Sequence, residues 1–331
     1  MRKVPGFAFL LLSFVAFSRG NDTLATLGAG ALVPLKSNQI VMESEDLRIS
    51  PHQIRIHYVL RNTSSQDIDA VVAFPLPDLD GGMIYGSPVE IPAKGTFNFV
   101  DFSVTANGEP VTVAMEARAH DSHGEDITSR LSADKLPISV LSGPVTSAVN
   151  QLPDAERRSL ESAQLLIREE SQEAGDKKPK LNWYPWWTTR VQFHWTQKFT
   201  AKSAVELVQT YRPVVGGSYI VQNDDGSTSI KPYCGTAGTL QRIAVGKRQH
   251  PAKTESDAIW IERKIDYILT TANNWKGPIG KFHLTVITDP EDILVTCYPG
   301  LKQTDPTHYE VVDTDYHPTS ELKLLILQLA R

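Results

Sequence analysis

Between Gln39 and Glu116 apolar residues fall at alternate positions, the two-residue period of strands that bury one face. Ile54, Ile56, Tyr58 and Leu60 alternate with Arg55, His57 and Val59, so the first set is expected inside. Asn62-Thr63-Ser64-Ser65 supplies a polar turn. The next strand, Ile68 to Phe74, is stopped by Pro75 and Pro77, which lack the backbone donor a central ladder needs. Val100 to Ala106 and Glu109 to Glu116 flank Asn107-Gly108, a dipeptide suited to a two-residue hairpin because both positions need φ > 0. These features predict an N-terminal β-sandwich over residues 21–116.

From Ala117 the period changes. Ile127 to Leu136 and Ala155 to Glu169 carry apolar residues near helical spacing, with Pro153 at a helix start and Leu160, Ala163, Leu166 and Ile167 forming a stripe. Gln172 to Lys180 is charged, contains Gly and Pro and shows no period, which predicts an exposed linker. Residues 117–180 are thus expected to be a helical insertion and linker. Alternation returns with Val191, Phe193 and Trp195, then Val205, Leu207 and Tyr211. Asp224-Asp225-Gly226 reads as a second hairpin turn and Gly238 to Val245 as a short helix. Three further strands are marked by Ile261, Ile265, Tyr267 and Leu269, by Phe282, Leu284 and Val286, and by Leu322, Leu324 and Ile326. Residues 181–331 form a β-rich C-terminal region on this reading. The expected fold class is mainly β, antiparallel β-sandwich domains with a helical insertion. Periodicity leaves open whether the two β regions are separate sandwiches or parts of one body.

The first twenty residues obey another logic. Arg2 and Lys3 precede an apolar run from Phe7 to Phe17, shorter than the ~20 residues of a membrane-spanning helix, and Ser18 and Gly20 are the small residues of a cleavage site. This predicts a signal peptide over 1–20, cut after Gly20, and a periplasmic or secreted chain with no transmembrane segment after processing. The formal net charge is −5, and losing Arg2, Lys3 and Arg19 makes the mature chain more acidic still. That balance argues against nucleic-acid binding, which needs a basic face. The two cysteines are Cys234 and Cys297. In an oxidising compartment an even pair is expected to be bridged, closing a loop worth on the order of 4 kcal/mol by chain entropy; two separate buried thiols are the alternative.

Tyr58-x-Leu60-x-Asn62-x-Ser64, with Phe74-Pro75-Leu76-Pro77 after it, resembles the N-terminal domain of inter-alpha-trypsin inhibitor heavy chains, a β-sandwich with an Asn-turn and an FPLP-type strand end. The chain also resembles a bacterial domain-of-unknown-function family of exported proteins. The matching segments are Asn21-Asp22-Thr23 through Leu27-Gly28-Ala29-Gly30, Ser44-Glu45-Asp46-Leu47-x-Ile49-Ser50, and Tyr267-x-Leu269-Thr270-Thr271 continuing into Asn274-Trp275-Lys276-Gly277-Pro278-Ile279-Gly280. Ala31 stands where a second glycine of the run is expected. This resemblance implies export and overall architecture, and offers no catalytic residues to transfer.

Trp183, Tyr184, Trp186 and Trp187 gather aromatic rings in one short stretch, ahead of Trp195. Such rings serve either as core or as anchors for a sugar face or a partner's apolar patch. Trp186 and Trp187 are adjacent, so an extended chain cannot turn both inward. Trp275, in the shaped loop before Gly280, is a further candidate for closing over a neighbouring surface. His120-Asp121-Ser122-His123-Gly124-Glu125-Asp126 contains metal-ligand types but lacks a third spaced ligand, and reads as a loop whose Asp126 caps the next helix. Asp78-Leu79-Asp80-Gly81-Gly82 and Asn223-Asp224-Asp225-Gly226 resemble calcium loops in composition only. Ser132-Ala133-Asp134-Lys135 matches Ser-x-x-Lys without its companion motifs. No metal, cofactor or catalytic residue is therefore assigned. The expectation is an exported binding or scaffold protein of the cell envelope whose partner is a protein or an envelope glycan. The alternatives are a carboxylate-based hydrolase and a structural component of an envelope assembly.

Overall fold

The computed structural model describes residues 23–28, 31–86, 89–171, 180–251, 254 and 258–330. The predicted signal peptide and residues 172–179 of the predicted linker lie outside them; Lys180 belongs to a strand. Alternation becomes three larger sheets. The first runs, in spatial order, Lys302–Gln303, His308–Tyr316, Ile279–Ile287, Ile40–Ile49, Ile54–Asn62, Ala204–Tyr211, Ser103–Ala106 and Glu109–Pro110. Its neighbours are antiparallel except Ile279–Ile287 beside Ile40–Ile49, which run parallel. Pairing Leu207 with Tyr58 and Leu284 with Leu47 places both β regions in one hydrogen-bonded sheet, which answers the question periodicity left open.

The second sheet orders Ala114–His120, Thr188–Phe199, Ile68–Pro75, Thr23–Gly28 and Ala31–Leu35, with Leu79–Asp80 joined to Thr188 and Thr189. The third orders Ile293–Thr296, Leu322–Leu329, Ala258–Tyr267, Val215–Val221 and Val89–Glu90. One core joins all three. Phe102 stacks on Phe74 and Phe193 with centroids 4.3 and 5.1 Å apart, linking the first two sheets. The hydroxyls of Tyr58 and Tyr267 lie 3.2 Å apart, linking the first and third, and Tyr267 also donates to Glu45. Ile54, Ile56, Tyr58 and Leu60 are all buried, as their alternation requires. Buried Asn62 donates to the carbonyls of Gln66 and Phe199 and accepts from the Ser64 amide, so one side chain satisfies two backbone groups of its own turn and one at the end of the strand Thr188–Phe199. Asn107 and Gly108 both take positive φ, 50° and 85°, in the expected hairpin.

Several local expectations change. Pro153 does open a helix, but it spans Asp154–Ser162, and Leu166 and Ile167 belong to the strand Leu166–Ser171, paired with Lys180–Pro185. The helix ends in a Schellman motif: Gln164 takes φ 58° and the Leu165 amide donates back to Leu160. Thr128–Ala133 ends the same way, with Lys135 at φ 57° and Leu136 donating to Leu131. Neither stop uses glycine, so neither is visible as punctuation. Asp224-Asp225-Gly226 turns into a helix rather than a hairpin, with Gly226 at φ 80° ahead of Ser227–Ile230. The short helix predicted at 238–245 extends over Ala237–Gln249, started by a Thr236–Thr239 capping box.

Cys234 and Cys297 form a disulfide, 63 residues apart, that ties the Lys231–Tyr233 turn to the end of Ile293–Thr296. The Ala237–Gln249 helix covers the outer face of the third sheet, where Trp260, Leu325, Leu327 and Ile293 pack with Ile243. Glu262 and Asp266 lie on that same face of Ala258–Tyr267, 1% and 3% exposed. Lys264 Nζ is 2.6 Å from Glu262. Neither oxygen of Asp266 has a hydrogen-bond partner, and burial pushes its carboxyl up to about 6 against the opposing pull of Lys323 and Lys264.

Candidate partner-binding surface

The aromatic cluster divides by strand geometry. In Lys180–Pro185 the side chains of Trp183 and Pro185 are buried, while Asn182 and Tyr184 are half-exposed. Trp187 and Trp195 also lie in the core. Arg157 and Arg168 hold their guanidinium carbons 5.9 and 5.7 Å from the Trp183 ring centre, a cation–π arrangement that closes over it. Tyr184 and Trp186 are left at the surface, so the cluster contributes two half-exposed rings rather than a continuous platform.

Both rings rest on the short helix Gly81–Gly86. A Cβ at Gly82 would stand 2.8 Å from Trp186 Cζ2, and one at Gly81 would stand 2.4 Å from the Pro185 carbonyl oxygen, so this close approach requires the glycine pair. Tyr184 packs on Tyr85 at 5.1 Å between ring centres. Burial raises the Tyr85 phenol above its ordinary value. Asp80 accepts from the Met83 amide and the Thr188 hydroxyl, so its carboxylate starts the helix and bridges to the neighbouring strand.

The buried members have a positioning role. Trp187 Nε1 donates to the Ile138 carbonyl at 2.8 Å, and the Thr189 hydroxyl donates to the same oxygen while accepting from the Val140 amide. The Tyr85 hydroxyl donates to the Val140 carbonyl at 3.0 Å. Residues 138–140 are thereby held from two sides. Ile138 and Ser139 of this stretch form part of one wall of a cleft of about 470 Å³, lined also by Gly95, Thr96, Phe97, Pro137 and Ser142. Phe97 and Ile138, half-buried against the core, supply its carbon surface. The hydroxyls of Thr96 and Ser139 each accept from a backbone amide two residues on, shaping the loops.

This cleft was not apparent in the sequence. Its residues come from two irregular segments forty positions apart, in which Phe97 and Ile138 stand among turn residues and further apolar positions, and no local pattern brings the two segments together. Trp275 is buried, edge-on to Phe199 at 6.3 Å, and its loop is a corner: the Lys276 amide donates to Ile40 and Gly277 takes φ 75°. In the His120–Asp126 segment, the Asp121 carboxylate accepts from the amides of His123 and Glu125. Asp126 accepts from the Thr128 amide and pairs with Arg118, and these bonds, Thr128 foremost, bring its carboxyl down to about 2. Ile127, rather than Asp126, occupies the cap position, although Asp126 supplies the bond. Ser132 is exposed on its helix and donates to the Thr128 carbonyl.

Among solved structures, the chain is similar to a Legionella pneumophila protein described as a "putative nutrient binding protein", at 14% identity and a TM-score of 0.43, covering 94% of this chain and 70% of that one. It is also similar to the M1 zinc metallopeptidase of Deinococcus radiodurans, at 7% identity and a TM-score of 0.23, covering 88% of this chain and 43% of that one. No curated protein matches. These comparisons do not show the likeness to heavy-chain N-terminal domains. The resemblance carried by the Asn21 and Tyr267–Gly280 segments does hold across the chain, for residues 20–325 match the DUF4424 family, described as a domain of unknown function, and the chain belongs to it.

Proposed function

We propose that this chain is a non-enzymatic binding or scaffold protein of the bacterial cell envelope that receives an apolar side chain of a protein partner in the cleft between residues 95–97 and 137–142. The observation that carries this reading is the cleft itself: a space of about 470 Å³ with Phe97 and Ile138 in its walls, braced from behind by buried Trp187. Tyr184 and Trp186 extend the contact, because half-exposed amphipathic rings are favoured at interfaces. The disulfide supports an oxidising compartment, and among the described residues no helix is long and apolar enough to cross a membrane. An upward-shifted acid in the cleft would favour the hydrolase alternative, and Asp266, whose carboxyl is shifted that way, does not line it.

The test is affinity capture from envelope extract with wild type, Phe97→Asp and Trp186→Ala, each verified as folded by circular dichroism. Loss of one specific partner with Phe97→Asp, and weakening with Trp186→Ala, is the expected result. An identical partner list for all three proteins refutes the proposal. Trp187→Ala is unsuitable, since the residue is fully buried and its removal tests stability instead.

A further inference from the structure

On the third sheet Tyr219 lies across from Ile261, and Gly217 across from Arg263. The two-residue strand period puts all four on the face opposite the Ala237–Gln249 helix. Further along that face Ile265 and Tyr267 are covered by the main core. At Tyr219 the cover has ended, and the ring is 50% exposed in the middle of a strand.

Next to it is a prearranged polar group. Arg263 Nε donates to Gln328 Oε1 at 2.9 Å and Nη1 to the Glu90 carboxylate, which leaves the two hydrogens of Nη2 for an outside acceptor. Glu90 is itself about half exposed. Gly217 places no side chain between ring and guanidinium, and the resulting depression, also lined by Ile91 and Lys94, has a volume of about 370 Å³.

We infer that this depression is a saccharide-binding site in which a pyranose lays its C–H face on Tyr219 and gives vicinal hydroxyls to Arg263 and Glu90. A pyranose has an apolar face and a belt of hydroxyls that both donate and accept. The tyrosine ring matches the first, and the guanidinium and carboxylate, planar and side by side, match the second. With Lys94 also in its lining, the depression carries two cations and one carboxylate, so a simple anion is the competing ligand, and the apolar ring beside the charged pair is what favours a sugar over it. Arg263 is already held by two bonds and loses little freedom on binding. The inference is independent of the cleft at residues 95–142.

Isothermal titration of the full chain with triacetylchitotriose, cellotriose and maltotriose tests it. Saturable binding of at least one sugar is expected, weakened about tenfold by Tyr219→Ala and less than about threefold by Tyr219→Phe. Arg263→Gln should also weaken it, whereas Trp186→Ala should leave it unchanged. The inference is overturned by no saturable binding of any of the three up to about 10 mM, by equal affinity of Tyr219→Ala and wild type, or by inorganic phosphate binding at Arg263 in preference to all three sugars.

Discussion

Asp266 makes the stability of this protein depend on pH in a direction opposite to that of an ordinary paired carboxylate. Its side chain is enclosed between the third sheet and the Lys231–Gln249 layer, without a hydrogen-bond partner, and its carboxyl titrates at about 6 instead of 3.8. At about 1.4 kcal/mol per pH unit, that difference amounts to about 3 kcal/mol. The folded chain holds the proton more tightly than the unfolded chain. The associated stability is therefore fully present below pH 4 and is lost as pH rises through 6. Asp266→Asn is neutral at every pH, and whatever its buried amide costs is the same at pH 4 and pH 8. The stability gap between wild type and Asp266→Asn should then shift by about 2.4 kcal/mol between those pH values, since the unfolded carboxyl is already partly ionised at pH 4, in favour of the variant at pH 8. Urea unfolding monitored by tryptophan fluorescence at half-unit pH steps measures this directly. Lys323→Met, which removes an opposing positive charge, should move the wild-type transition to higher pH. A gap constant to within about 0.5 kcal/mol from pH 4 to pH 8 would refute the reasoning.

Three further outcomes are expected. Replacing Cys234 and Cys297 together by alanine should lower unfolding stability by about 4 kcal/mol on the chain-entropy account of a 63-residue separation, and unchanged urea midpoints would contradict it. Trp187→Phe removes the donor to Ile138 and part of a fully buried ring; a loss of about 2 kcal/mol and faster protease cleavage within residues 137–142 are anticipated, whereas unaltered cleavage would mean the indole does not brace that loop. Gly280→Ala places a Cβ 2.7 Å from the Glu43 carbonyl oxygen in the parallel neighbour, and thermal unfolding should show a cost of about 1–3 kcal/mol, with no change in midpoint counting against a rigid contact there.

The elements that could be read in advance are those whose signal is local. Alternation at 54–60 specifies a strand and its inward face, Asn107-Gly108 specifies a hairpin, and Pro153 specifies a helix start, because each depends on a few neighbouring residues. Leu166 and Ile167 misled, since the spacing from Leu160 continues a helical stripe while Gln164 ends the helix in a left-handed conformation that glycine usually marks. Asp224-Asp225-Gly226 misled in the opposite sense: a turn rich in Asp and Gly serves a helix start as well as a hairpin, and the residues beyond Gly226 decide between them. The aromatic stretch was recognisable as important, but the direction of each ring was not. Trp183, Trp187 and Trp275 are interior, and the cleft that Trp187 supports is built from segments that carry no period.

By itself the amino-acid order determined a mainly β chain, two cysteines able to pair, an acidic charge balance and the family to which it belongs, because these depend on composition, short-range periodicity and motif. Only the tertiary structure decided that residues 40–62 share a sheet with 204–211 and 279–287, that Asp266 is enclosed without a hydrogen-bond partner, and that Tyr219 stands exposed beside Arg263. Those outcomes depend on pairings between strands distant in sequence and on where the cover of a sheet ends. No window of neighbouring residues encodes either, since a strand's own pattern states which face is apolar and not what lies against it.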